Sequence, residues 1–154
     1  MSIAEARNHA RRSGDFGPLI AAIPYSAWIG VKVETVGEQL HFLLPYKPSL
    51  TGNPRLPALH GGVVAGFLES AAVLQLLMVA DETRVPKSID VSIDYLRSAQ
   101  CIDTRAVCTV TRLGRRVAQV QIRCWQDDIA RTVAVARAHF LLASREPAEA
   151  PAVP

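Results

Sequence analysis

The sequence predicts an α+β domain, with one long buried helix against a curved antiparallel sheet of about five or six strands. Three observations carry this. Between Pro57 and Ala80 apolar residues recur at Val64, Phe67, Ala71, Leu74 and Met78, a helical interval. On either side of that helix, short segments alternate apolar and polar residues with the period of two that marks strands. After the helix those segments are joined by short turns, which makes consecutive strands antiparallel neighbours.

The N-terminal part is read as short helices. Ser2 to Arg12 suits a helix, with Ser2 as cap and Glu5 three residues on. Phe16 to Ile23 reads as a second helical turn, closed by Pro24. Tyr25, Trp28 and Ile29 supply bulk to cover one end of a sheet or the mouth of a pocket. Ile29 to Val36 then alternates as a strand, Gly37-Glu38 turns, and Gln39 to Leu44 returns until Pro45 ends it, giving a hairpin. Pro45 to Leu59, with Pro48, Gly52, Pro54 and Pro57, reads as a loop. It is long for a compact domain, and long loops tend to be functional.

After the helix, Pro86 to Arg97 alternates with Ile89, Val91, Ile93 and Tyr95 on one face. Cys101 to Thr111, Val117 to Trp125 and Ile129 to Leu142 follow as strands, separated by turns at Gly114 and Asp127-Asp128. In the last strand Val133, Val135, Ala138, Phe140 and Leu142 are the apolar positions. The divisions are a helical segment over 1–24, one domain over 25–142, and an Ala/Pro/Glu-rich tail over 143–154 expected to be flexible.

Composition narrows the function. A chain of 154 residues, 49% hydrophobic, holds one domain with a substantial core. The net charge is +3 and the arginines are scattered, with no basic run interleaved with aromatics for nucleic acid. An anionic small molecule is the easier fit. Cys101, Cys108 and Cys124 form neither a metal doublet nor a CxxC pair, and read as small hydrophobes in a reducing compartment. The polar N-terminus lacks the apolar run of a signal peptide. The helix approaches membrane-spanning length, but its central Glu69 and strand-rich context argue against spanning. A cytoplasmic protein without membrane partners is expected. Neither a G-x-S-x-G elbow nor a phosphate loop nor a dinucleotide fingerprint occurs, and His60 has no second ligand at metal spacing.

Glu69 is the informative residue. It is the only charged side chain from Gly61 to Ala80. A helix apolar on all faces is buried on most of them, and a carboxylate there is costly unless it is paired or its pKa shifts. From the residues alone Glu69 is either a structural carboxylate paired with an arginine or a catalytic one. Gly61-Gly62 is a tight loop-to-helix junction that also permits close backbone approach.

The pieces Gly52-Asn53-Pro54, Leu59-His60-Gly61-Gly62-Val63, Glu69, Asp94-Tyr95-Leu96-Arg97, Gly114-Arg115 and Val133-Ala134-Val135-Ala136 together resemble the hot-dog-fold thioesterases, in order, over roughly residues 25–142. The likeness is to the PaaI-like branch that acts on acyl-coenzyme A. It implies a helix wrapped by the sheet, and a homodimer whose sheets run on into one another, often doubled into a dimer-of-dimers tetramer. Sites then lie at the dimer interface, with no metal or separate cofactor, coenzyme A being part of the substrate.

The resemblance implies that the Gly61 N–H polarises the thioester carbonyl. It implies that Glu69 activates water or attacks the carbonyl, facing the partner's Gly61. His60 would brace the loop carrying Asn53, and Asn53 would position substrate or water. Asn53 stands one residue further from His60 than in many relatives, and Arg97 stands where some carry a hydroxyl, which Ser98 could replace. Gly62, Arg97, Ser98, Arg115 and Arg116 are the substrate-binding candidates, with Arg115 or Arg116 for the coenzyme's phosphates or as a solvated hairpin tip. Two other readings stand beside acyl-CoA hydrolysis. One is a catalytically weak protein that binds acyl-CoA or aromatic ligands; the other is a hot-dog dehydratase or hydratase.

Overall fold

The computed structural model describes residues 1–143. The predicted tail, apart from Ala143, lies outside the described residues. Three short helices come first: α1 (Ile3–Ser13), α2 (Gly17–Ala21) and α3 (Pro24–Ile29). Ser2 and Glu5 form the expected capping box on α1. Helix α2 ends ahead of Pro24 as expected, but the residues after it are helical too. Proline without an N–H, and with φ already near the helical value, suits the first position of a helix, and here it starts α3. Gly30 ends α3 at φ 85°, a left-handed conformation that favours glycine.

The sheet follows. β1 (Lys32–Val36) and β2 (Gln39–Leu44) form the predicted hairpin. The segment read as a loop is instead folded: a 3-10 turn at Pro48–Leu50 leads into a small hairpin, β3 (Thr51–Asn53) and β4 (Leu56–Leu59). Asn53 closes its turn by accepting the Arg55 N–H on Oδ1 at 2.9 Å. Helix α4 (Gly61–Val79) comes next, then β5 (Lys87–Tyr95), β6 (Thr104–Leu113), β7 (Val117–Trp125) and β8 (Ala134–Leu141). The last strand starts later than predicted, and its inward side chains are Ala134, Ala136, Ala138 and Phe140, with Val135 half-buried.

Six strands form one antiparallel sheet in the order β1-β2-β6-β7-β8-β5. Helix α4 lies on it against β2, β5, β6, β7 and β8. The inward residues of β6, β7 and β8 include Ala106, Ala118, Ala134, Ala136 and Ala138, all buried. Small side chains let the sheet approach the helix closely and curve around it. Phe42, Phe67 and Phe140, fully buried, fill the remaining volume. This is the hot-dog arrangement. By length and composition α4 would also cross a membrane, but 56% of that stretch is buried inside the fold.

The N-terminal helices close what the sheet leaves open. From α1, Arg11 donates through Nε and Nη2 to the Met78 carbonyl at 3.1 and 2.7 Å, and through Nη2 to that of Ala80 at 3.2 Å. Arg7, buried, donates to the Glu82 carbonyl at 2.6 Å. Carbonyls at the C-terminal end of α4 thus receive cationic donors where the helix dipole is negative. Cys108 and Cys124 are buried in β6 and β7, whereas Cys101 is half-buried before β6. Burial pushes the Cys124 thiol up to about 11, and pushes that of Cys108 up as well.

Arg11→Ala is expected to lower the free energy of urea unfolding by about 1 kcal/mol; an unchanged midpoint would show that these bonds contribute nothing. A thiol-disulfide reagent at pH 8 should label Cys101 quickly in the folded chain. Cys108 and Cys124 should react only on unfolding, and fast labelling of either would contradict their burial.

Candidate active site

The N-terminus of α4 is assembled by His60. It caps the helix, its backbone extended at φ −60° and ψ 129°, and its ring Nδ1 accepts the Gly62 N–H at 2.9 Å. A neutral ring accepting there carries its proton on Nε2. A side chain at Gly62 would crowd that ring, its Cβ falling 3.0 Å from Nδ1, so glycine is what lets the cap fold back. The Val63 and Val64 N–H groups both bond the His60 carbonyl. Among the described residues no acceptor is paired with the Gly61 N–H. It is the one donor at this helix end left for a ligand, at the positive end of the dipole.

Surrounding elements lock this end. Tyr95, at the end of β5, donates its hydroxyl to the Gly61 carbonyl at 2.7 Å. The His60 N–H bonds the Leu50 carbonyl, and the Leu59 N–H that of Ala99. The β3–β4 hairpin presses on His60 through Gly52, where an added Cβ would lie 2.9 Å from the His60 Cα. The histidine therefore touches the hairpin at Gly52, beside Asn53.

Gly62, Gly66, Glu69 and Val73 stand at helical spacing on one face of α4, and that face opens into a cleft of about 520 Å³. Its far wall comes from Ile23, Tyr25 and Ser26 and from Val85, Pro86 and Ser88. Glu69 is half-buried there. The Ser88 hydroxyl donates to Glu69 Oε1, so Oε1 is engaged and Oε2 is left to act. The helix is thus not covered on all sides, and its single charge lies where cover is missing. A carboxylate held by a hydroxyl, and a free helix-end amide about 12 Å along α4, are groups suited to hydrolysis of an activated carbonyl.

Residues 56–141 match the family profile of the thioesterase superfamily. This chain belongs to that superfamily. Its fold is similar to those of several solved structures. A protein from Chromobacterium violaceum is 37% identical, with a TM-score of 0.74, over 92% of this chain and 99% of that one. A phenylacetic acid degradation-related protein from Ralstonia eutropha JMP134 is 19% identical, TM-score 0.71, over 88% and 98%. A Bacillus halodurans protein crystallised with CoA is 19% identical, TM-score 0.68, over 94% and 90%. No curated protein matches the chain in sequence.

In this superfamily member the other candidates lie away from the cleft. Asn53 spends its carbonyl oxygen on its own turn. Arg97 donates to the Thr132 carbonyl at 2.6 Å and, with Ser98, borders a separate depression beside Asp127, Asp128 and Arg131. Arg115 and Arg116 sit at the β6–β7 turn near Val79 and Glu82. That is the opposite end of α4 from Gly61, about 27 Å away along a 19-residue helix. Within one chain, then, Gly62 and Glu69 share the cleft, Gly61 and His60 form its helix end, and the remaining candidates do not join them. Among the described residues no group of three His, Cys, Asp or Glu is placed to hold a metal.

Ser88 is the residue that sequence reasoning missed. Strict alternation from Val91 turns Ser88 away from the helix. The register shifts between Ser88 and Asp90, leaving Ile89 as an extra residue, 58% exposed. That bulge turns Ser88 to the helix side, opposite the buried Phe140.

Tyr25 rests on Gly66: an added Cβ there would lie 2.5 Å from its hydroxyl oxygen. Gly66→Ala gains roughly 1 kcal/mol of helix propensity but displaces Tyr25. The substitution should therefore be more favourable in a Tyr25→Ala background than in the natural chain, by about 1 kcal/mol in a denaturation cycle. Equal effects in both backgrounds would show that the ring does not bear on α4.

Proposed function

We propose that this chain is a PaaI-like thioesterase that hydrolyses an acyl-CoA to a free acid and coenzyme A, working as a homodimer. The observation that carries the reading is Glu69, its Oε1 held by Ser88, in a cleft on the helix whose N-terminal Gly61 N–H is unpaired. Coenzyme A is the carrier suggested by the Bacillus halodurans neighbour crystallised with it.

In the proposed reaction Glu69 Oε2 takes a proton from water as its oxygen attacks the thioester carbonyl carbon. The carbonyl oxygen becomes an oxyanion and accepts the Gly61 N–H. When the oxyanion collapses the C–S bond breaks, and the coenzyme thiolate leaves and picks up a proton. Gly61 supplies a donor that needs no reorganisation, because Tyr95 and the His60 cap already fix it.

One subunit cannot bring both groups to one carbonyl. Gly61 and Glu69 are eight residues apart, about 12 Å along the helix, whereas a reacting carbonyl needs both within about 3 Å. The unpaired edge of β5 offers the solution. It is nine residues long, among the described residues it pairs only with β8, and it carries Ser88 at one end and Tyr95 at the other. Two β5 strands paired antiparallel near Val91–Ser92 set Ser88 of one subunit against the partner subunit's Tyr95. The partner subunit's Gly61 then meets Glu69, and two sites form per dimer.

The test is turnover of a panel of aryl- and fatty-acyl-CoAs by the natural chain and two variants. Glu69→Gln should abolish hydrolysis while thioether analogues still bind. Gly61→Pro should lower kcat by about 10²–10³-fold. It deletes the N–H at a helix position that tolerates proline, after a residue already extended. Mixing and reannealing the two should restore about a quarter of the natural rate, because each mixed dimer holds one intact site. Full activity of Glu69→Gln would remove the carboxylate from the chemistry. No recovery in demonstrably mixed dimers would place the whole site in one subunit.

A further inference from the structure

The wall of the cleft facing Glu69 contains a group that hydrolysis does not use. Ser26 lies on α3, is 1% exposed, and lines the cleft. Its Oγ has no hydrogen-bond partner, the only such buried side-chain atom among the described residues. Buried hydroxyls are normally paired. A position that merely required a small residue would take alanine with no orphaned group.

The surroundings indicate what pairs it. Ile23, Val73 and Val85 make that part of the cleft apolar, suiting a hydrocarbon acyl group, and Tyr25 and Gly66 bound it. Among the cleft's polar side chains, which include Tyr25 and Ser70, Ser26 is the one whose buried polar atom has no partner among the described residues. A serine hydroxyl both donates and accepts, and one rotation about χ1 carries it between staggered positions.

We infer that Ser26 determines specificity: its hydroxyl hydrogen-bonds an oxygen substituent on the acyl group, so the cleft takes oxygenated acyl thioesters in preference to their plain hydrocarbon counterparts. An unsubstituted acyl group leaves the Ser26 hydroxyl unpaired in an apolar wall, whereas an alcohol or carbonyl oxygen at the right position satisfies it. This rests on the thioesterase reading, with the acyl group seated in this cleft.

The experiment compares hexanoyl-CoA with its 3-, 5- and 6-hydroxy analogues, as hydrolysable thioesters and as thioethers. The natural chain should favour at least one hydroxylated isomer by about tenfold in kcat/KM and in thioether affinity. Ser26→Ala should erase that preference and melt no lower than the natural chain, since the deleted hydroxyl had no partner. A preference unchanged by Ser26→Ala, or none in the natural chain, overturns the inference. A lowered melting temperature with an unchanged ratio would assign Ser26 to folding alone, and overturns it too. If no thioester is hydrolysed the thioesterase reading fails separately, and the thioether affinities still decide the role of Ser26.

Discussion

A helix with no polar face has to be covered on every side, and a sheet covers it on only one. This constraint on α4 organises the molecule. The sheet answers by curving, which the alanines of β6, β7 and β8 permit. Helices α1 to α3 answer at the side and at the C-terminal end, where Arg7 and Arg11 reach the last carbonyls and the loop beyond. What these elements leave uncovered includes one strip that opens into the cleft, and the helix places Glu69 on it. Packing and chemistry are therefore complementary: every position of α4 that the fold covers is apolar or small, and the one charge faces the gap.

The two ends of α4 are satisfied differently, and the difference matters for function. Cationic side chains meet the carbonyls at the C-terminus, leaving no place there for an electrophile. At the N-terminus, the His60 ring takes one amide and its carbonyl takes two more, so a single amide is left. The donor is selected by elimination within the cap. Gly52 and Gly62 allow the ring and the hairpin to sit close enough for this, which is a packing demand and not one of backbone freedom.

The regular parts of the fold were legible in the sequence because they follow one period each. The helical interval from Val64 to Met78, the alternation of β7 and the Ser2–Glu5 box all translate directly into structure. The His60-Gly61-Gly62 junction and Glu69 were legible as a conflict between burial and charge. What stayed hidden depends on departures from period. The bulge at Ile89 reverses the facing of Ser88 and so concealed its bond to Glu69. Proline has opposite meanings on the two sides of a helix boundary: Pro24 follows the end of α2 as expected, but it also begins α3. The hairpin before α4 is closed by an Asn53 side-chain bond that no alternation announces. Arg97 reads from the sequence as a substrate-binding candidate, yet the Thr132 carbonyl holds it.

The distance between Gly61 and Glu69 gives the edge strand its meaning. A long unpaired edge invites association with another chain, and proteins usually blunt it. β5 runs nine residues without proline and carries Ile89 and Tyr95 exposed, alongside the charges of Lys87, Asp90 and Asp94 and the bulge at Ile89. Yet Ser88 at its start bonds the helix carboxylate, and Tyr95 at its end bonds the helix N-terminus. The strand therefore connects the two groups that are too far apart along α4. In the proposed dimer a two-fold axis through its middle would exchange its ends and so remove that separation. In that dimer, an edge open for pairing and two half-sites tied to its two ends would have the same explanation, because closing one would complete the other.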